Sequence, residues 1–353
     1  MHFIDLILIC YNHTMNIFKK KAKKIQFLAI GDIVIDAFIK LKDAHTHTGG
    51  DTPGTELCIT FGDKIPYEDV KILNAVGNSP NAAVSASRLG LKTVLLTNIG
   101  DDRYGEDCLN QLKKEGISTD YVTIEKNAKT NYHYVLWFGV ERTILVKHTE
   151  FNFKFPKFED TEIEWMYLSS LASNSLPYHL EIAEYLKSHP NTKLAFQPGT
   201  FQMKLGTEVL GDIYARTEIF FCNVEEAQKI LNETSKDIKV LAKGLHALGP
   251  KIVAISDGPN GAYASDGSQI YFTPIYPDTA PAIDRTGAGD AFASTFTSAI
   301  ALGKNIDEAL AWGPINSMSV VQYVGAQEGL LSKDKLESLL KNAPENYKVS
   351  KIN

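Results

Sequence analysis

The sequence predicts an α/β fold: a mostly parallel central sheet covered by helices on both faces, with a small second sheet set apart from it. Short apolar runs such as 25–30, 93–100 and 251–256 have the length and composition of strands buried on both faces. Helix-patterned segments alternate with these runs, as a parallel sheet with crossover helices requires. Residues 131–139 and 142–148 instead read as two alternating strands around the tight Gly139-Val140-Glu141 connection, the pattern of an antiparallel pair.

The chain has 353 residues, 44% hydrophobic and 22% charged, enough to bury a substantial core within one large unit. A formal net charge of −6 argues against broad electrostatic binding of nucleic acid but is compatible with a local phosphate site. Cys10, Cys58, Cys108 and Cys222 are widely spaced, with no CxxC pair. That fits reduced thiols in a soluble cytoplasmic protein and carries no metal signature. Residues 1–24 read as a loosely held extension. Their apolar run at 3–10 is interrupted by Asp5 and precedes the lysines at 19–21 and 23–24, the reverse of a secretory signal. The run is also far short of the roughly 20 apolar residues of a membrane span. Met15 is a candidate start on the same ground.

In chain order, 25–30 is a buried strand ending at Gly31-Asp32, and 34–40 continues as extended structure. Asp36 is expected just beyond that strand's carboxyl end, where open α/β sheets bind ligands; an ordinary turn carboxylate is the competing reading. Residues 41–70 are polar and punctuated, with a strand-like 55–61, and suggest a projecting hairpin or flap in which His45 and His47 are solvated. Val76-Gly77-Asn78-Ser79-Pro80-Asn81 opens a helix over 82–89; side-chain amides there can bond ligand hydroxyls or cap the helix. Strand 93–100 and helix 107–115 follow. The pair 131–139 and 142–148 is expected to join 55–61 in the second sheet. Strands at 165–169, 193–196 and 219–222 alternate with helices at 177–188, 208–214 and 237–248, before strand 251–256.

The stretch Asp284-Arg285-Thr286-Gly287-Ala288-Gly289-Asp290 feeds a small-residue helix running to Leu302 and closed by Gly303. A Gly-rich loop entering a helix N-terminus offers free N–H groups and a favourable dipole to an anion. Asp290 in the first turn is then either a helix-capping residue or a general base beside that anion site.

Four ordered stretches decide between these readings: Gly77-Asn78-Ser79-Pro80-Asn81-Ala82-Ala83 with Gly90 and Gly100, Asn223-Val224-Glu225-Glu226-Ala227, Ser256-Asp257-Gly258-Pro259-Asn260-Gly261-Ala262, and Asp284 to Phe292. Together they make the chain similar to the ribokinase-like (PfkB) family of carbohydrate and nucleoside kinases over residues 25–340. The resemblance implies a three-layer sandwich with a central mostly parallel sheet and a small β-sheet lid from about 34–62 and 130–148. The kinase domain would span 25–345, with a tail at 346–353. It implies ATP- and Mg²⁺-dependent phosphorylation of a sugar hydroxyl, with Asp290 as general base and the backbone of Gly287, Ala288 and Gly289 as anion hole. Asp36, Gly77, Asn78 and Asn81 would hold the acceptor. Asn223, Glu226, Ser256, Gly258 and Asn316 would serve ATP, with Glu226 positioning Mg²⁺ through water. Asp284 and Thr286 match a monovalent-cation site, which adds K⁺ as a candidate cofactor. Val76 replaces the first of a glycine pair, and Arg285 stands where relatives carry a small residue or proline. A nucleoside kinase acting on a ribose 5′-hydroxyl, and a non-catalytic sensor on the same fold, are the alternatives. Lids of this type imply a homodimer; Phe61, Trp137 and Phe138 are candidates to line the lid, and Phe201 or Trp137 to stack on a nucleoside base.

Overall fold

The computed structural model describes residues 23–49, 54–139 and 141–352. The expected extension and Met15 fall outside these residues, except that Lys23 and Lys24 already open the first strand. The main sheet has ten strands. Seven are parallel neighbours: β7 (Val122–Glu125), β6 (Thr93–Gly100), β1 (Lys23–Ile30), β10 (Thr161–Leu168), β11 (Lys193–Phe196), β12 (Thr217–Asn223) and β13 (Ile252–Ser256). Antiparallel β14 (Ala262–Ser265), β15 (Ile270–Thr273) and β16 (Ser350–Ile352) extend one edge. The expected tail at 346–353 therefore contributes a strand of the main sheet through Ser350–Ile352.

Period-two side chains divide the core into two layers. In β1, Phe27 and Ala29 enter one cluster while Leu28 and Ile30 enter the other; in β12, Ile219 and Phe221 part from Phe220 and Cys222 in the same way. The first layer is covered by α1 (Asn78–Arg88), α2 (Arg103–Lys114), α8 (Ala288–Ala301), α9 (Ile306–Val320) and α10 (Lys333–Lys341). The second is covered by α3 (Leu176–Ser188), α5 (Gly211–Arg216), α6 (Val224–Leu231) and α7 (Ile238–Ala247). A short α4 (Thr200–Leu205), not expected from the sequence, follows β11. α8 is wedged in the core: every residue from Asp290 to Ala299 is buried, and small side chains such as Ala291, Ala293 and Ser294 permit that depth. Cys58, Cys108 and Cys222 are free thiols, and burial pushes the Cys108 thiol up to about 12.

The lid is a four-stranded sheet ordered β5 (Tyr67–Val76), β2 (Val34–Leu41), β8 (Asn131–Phe138), β9 (Glu141–Leu145). Two expectations are corrected. The 55–61 strand does not join the lid: β4 (Thr55–Cys58) pairs with β3 (His45–Thr48) as a separate hairpin, and its place is taken by β5. Asp36 does not lie beyond the end of β1 but within β2, on the lid; Asp32 occupies the turn after β1.

Candidate active site

Beneath the lid, at the carboxyl edge of the parallel strands, lies a cavity of about 670 Å³, the location expected for ligands of open α/β sheets. Its wall includes Gly287, Ala288, Gly289 and Asp290, together with Asp36, Gly77, Asn78, Asn81, Glu226, Arg285 and Thr286.

Gly287 is the N-cap of α8 with φ +82°, ψ 0°. An added Cβ there would overlap the Ala326 methyl and lie 2.7 Å from the Ala326 Cα. Only glycine meets both demands. The loop before it is tied down by Asp284, which is buried. One carboxylate oxygen accepts from Thr286 N at 3.0 Å and Thr286 Oγ1 at 2.7 Å, and the other from Gly325 N at 2.9 Å. Asp284 and Thr286, expected at a cation site, are thus engaged with each other and with residue 325. Arg285 projects onto the cavity wall.

Asp290 stands in the first turn of α8 and receives three side-chain amides. Asn78 Nδ2 donates to Oδ1 at 2.7 Å, Gln197 Nε2 to Oδ1 at 3.1 Å, and Asn81 Nδ2 to Oδ2 at 2.9 Å. Burial holds its pKa above the ordinary carboxylate range, opposed by the bonds from Asn81, Asn78 and Gln197. The amides are themselves oriented. Gln327 donates to Asn81 Oδ1 at 3.0 Å, and the buried Tyr167 hydroxyl donates to Gln197 Oε1. Asn78 and Asn81 therefore face the carboxylate from within α1, which begins at Asn78; Gly77 is its N-cap. An added Cβ on Gly77, at φ +119°, would sit 2.8 Å from the Asp32 carbonyl oxygen.

Asn223 and Glu226 form a reciprocal cap on α6: Glu226 N donates to Asn223 Oδ1 at 2.7 Å, and Asn223 N to Glu226 Oε2 at 2.9 Å. Only Glu226 of this pair lines the cavity. Burial raises its carboxyl pKa, with the negative charges of Asp290 and Glu225 adding to the rise. Glu226 keeps one carboxylate oxygen outside the cap and lines the cavity, a hard-oxygen donor suited to a divalent cation such as Mg²⁺, directly or through water. Ser256 ends β13, and Gly258 opens a one-turn helix at 258–260; both lie outside the cavity lining. Asn316 is fully buried in α9, donating to Thr295 Oγ1 at 2.7 Å and accepting from Leu331 N at 2.9 Å, so both of its polar atoms serve the core.

Several wall residues had no role assigned from sequence. Gln197 directly follows β11 at the carboxyl edge of the sheet, where ligands of open α/β sheets bind. Below the lid, His133 Nδ1 lies 3.4 Å from Asp36 Oδ1, and His148 Nδ1 lies 3.3 Å from Asp32 Oδ2. Both contacts are too poorly aligned for hydrogen bonds. The two imidazoles meet edge to face at 5.3 Å, and His148 meets Phe201 at 5.7 Å. Burial raises the Asp32 carboxyl pKa, while His148 lowers it. These groups come from four chain segments, so no local pattern announces them. Trp137 lies outside the cavity lining, and Phe61 is fully exposed away from the lid sheet.

The family model of the pfkB carbohydrate kinases matches residues 73–333. The chain belongs to the pfkB family of carbohydrate kinases. It is 30% identical over 270 residues to a ribokinase of Bacillus subtilis (strain 168), covering 75% of this chain and 87% of that one. Among solved structures, Arabidopsis thaliana ribokinase complexed with ribose and ATP superposes with a TM-score of 0.74 at 19% identity, over 89% of this chain and 98% of that one. A Methanocaldococcus jannaschii nucleoside kinase of the ribokinase family superposes at 0.70 with 18% identity, over 91% and 99%. This pfkB chain is accordingly a phosphotransferase of the sugar and nucleoside kinase class, with the ribokinase fold. Among the described residues no helix is long and apolar enough to cross a membrane.

Proposed function

We propose that the protein is an ATP- and Mg²⁺-dependent carbohydrate kinase that transfers the γ-phosphoryl group to a sugar hydroxyl, with Asp290 as general base. The observation that carries this reading is the Asp290 carboxylate on the cavity wall at a helix N-terminus, aimed by three amides from two other segments. Such a carboxylate is oriented to accept a proton from an acceptor hydroxyl as the oxygen becomes nucleophilic. The free N–H groups at the start of α8, in the turn of Gly287, Ala288 and Gly289, would stabilise charge on the transferred phosphoryl. Glu226, of the Asn223–Glu226 pair, is the group that would hold Mg²⁺, largely through water, and the ion would supply charge neutralisation on the nucleotide phosphates. Ser256 and Gly258 would contact those phosphates from the β13 edge. Asn316, matched to a position flanking the adenine, would support that side from the core, where its amide is bonded to Thr295 and Leu331. Asp284 and Thr286 shape the loop, and a K⁺ requirement would act through that loop. The lid, carrying Asp36 and His133 on its underside, would cover the acceptor and exclude water that would otherwise hydrolyse ATP.

The test is ADP release across pentoses, hexoses, sugar phosphates, ketodeoxy acids and nucleosides, with the native protein and Asp290→Asn. Loss of the base should lower kcat by roughly 10²–10⁴-fold; near-normal turnover by the variant sinks the assignment. A nucleoside acceptor is the second reading, favoured by the Phe201 ring on the cavity wall as a surface for a base. Adenosine outcompeting every sugar in that screen would establish it. We also assign a homodimer to the outer lid face, where cross-strand register aligns Leu145, Tyr134, Ala37 and Ile72 and leaves Leu145, Tyr134 and Ile72 about half exposed. Ile72→Glu should shift the sedimentation coefficient from dimer to monomer, and a native protein that sediments as a monomer excludes the pairing.

A further inference from the structure

Besides the four carboxylates Asp32, Asp36, Glu226 and Asp290, the cavity carries three cationic side chains that the proposed chemistry of Asp290 and Glu226 does not use. Arg142, Lys204 and Arg285 all line it, and none forms an ion pair among the described residues. Arg88 shows the contrast: outside the cavity, it is held by the Glu115 carboxylate at 2.9 Å.

Arg285 stands two residues from Gly287, at the anion loop. Arg142 and Lys204 lie elsewhere. Arg142, Ile144, Val146 and His148 recur every second residue along β9 and its continuation, and all four face the cavity. The lid register carries this face across to His133 and Asp36. Among the described residues, Arg142 Nε is buried without a hydrogen-bond partner, and so is the indole N–H of Trp137, directly opposite on β8. Lys204 belongs to α4, on the cavity's other wall. Its Nζ lies 5.7 Å from the Phe201 ring, which in turn meets His148 at 5.7 Å. Lys204 is thus linked through Phe201 to the His148–His133–Asp36 end of the cavity, and Arg142 faces the same cavity from the lid. The carboxylates there, Asp32 and Asp36, each have an imidazole within 3.4 Å, which covers them toward an incoming anion. A half-buried guanidinium whose Nε–H lacks an acceptor is stabilised by a ligand that supplies one, most strongly a charged one.

We propose that the acceptor is an anionic sugar, and that its phosphate ester or carboxylate is received between Arg142 of the lid and Lys204 of α4. This inference rests on the kinase reading for its choice of acceptor, but its test is a binding measurement independent of turnover. Isothermal titration of the full-length protein is made with two matched pairs: fructose against fructose 6-phosphate, and glucose against gluconate. The first pair reports a phosphate, the second a carboxylate. At least one anion is expected to bind about tenfold or more tighter than its neutral partner. That ratio should fall close to one in Arg142→Met and in Lys204→Met, and recover in part in Arg142→Lys, with thermal unfolding confirming that each variant is folded. Equal or weaker binding of both anions, including no binding by any of the four, overturns the proposal, as does a preference that survives both methionine variants. Anion binding without phosphorylation by ATP would support this inference while removing the kinase reading. Asp290-dependent turnover confined to neutral sugars would do the opposite.

Discussion

Replacing Asn81 with the nearly isosteric leucine removes one of three hydrogen bonds to the Asp290 carboxylate, the 2.9 Å bond from Nδ2. Burial pushes this carboxyl upward, and Asn81 is foremost among the bonds that oppose the rise. A hydrogen bond to a charged group is worth about 1.5–3 kcal/mol. At 1.36 kcal/mol per pKa unit, deleting it should raise the Asp290 pKa by about one to two units. The sign follows from the role. A general base works only when ionised, so kcat/KM falls on the acid side as pH drops through this pKa. With Asp290 as the base, the acid limb of the native protein is expected above the ordinary carboxylate range, because burial raises this carboxyl, and higher still in Asn81→Leu. Profiles of kcat/KM against pH, measured by coupled ADP release with one acceptor, provide the assay. An acid limb that is unmoved or displaced downward would refute the claim that Asn81 acts on Asp290. Any effect of Asn81 on sugar affinity would scale the whole profile without moving the limb. Gln327 keeps its second bond, to the Ala75 carbonyl at 2.7 Å, so the local packing retains an anchor.

Gly287→Ala forces a side chain into a left-handed backbone against Ala326. A loss of about 2–4 kcal/mol in urea unfolding, with loss of turnover, is expected. Arg88 joins α1 to Glu115 through two bonds at 3.0 and 2.9 Å and to the carbonyls of Gln327 and Leu330 at 2.7 and 2.8 Å. Arg88→Met should cost about 2–4 kcal/mol in the same measurement. Arg88→Lys should restore little of it, because a lysine cannot reproduce the two-pronged contact. Asp284→Asn puts an NH₂ group against N–H donors at either Thr286 or Gly325; loosening the anion loop should lower kcat by about 10²-fold. An unchanged kcat would show that the Asp284 bonds do not position the loop.

The main sheet was readable because its strands are buried on both faces and so appear as unbroken apolar runs, as at residues 25–30 and 93–100. The lid was only partly readable. β5 is missed by pattern because Glu68, Asp69 and Lys71 interrupt it; it lies at the edge of the lid sheet with its first four residues exposed, where apolar alternation is not demanded. The exposed β4 read as a lid strand for the opposite reason: its composition suits a strand, and composition does not name a partner. Asp290 and its glycines form a contiguous motif and could be found as one. Gln197 and Tyr167 act through a hydrogen bond between neighbouring strands, and His133 reaches Asp36 only through the parallel β2–β8 register. Asn223 to Glu226 satisfies two readings at once, because one short spacing produces both a helix cap and a carboxylate on the cavity wall.

The amides on Asp290 also set an order of assembly. Asn78, Asn81 and Gln197 precede it by 212, 209 and 93 residues. Contacts that close such long intervals of chain are among the slow ones to form. On a chain emerging from synthesis, Asn78, Asn81 and Gln197 exist before α8 supplies Asp290, and the Gln327 amide that orients Asn81 comes later still. Under the proposed role of Asp290, a polypeptide that still lacks α8 has no means of activating a hydroxyl. The site closes only when α8 and the segment through Gln327 dock against residues far earlier in the chain.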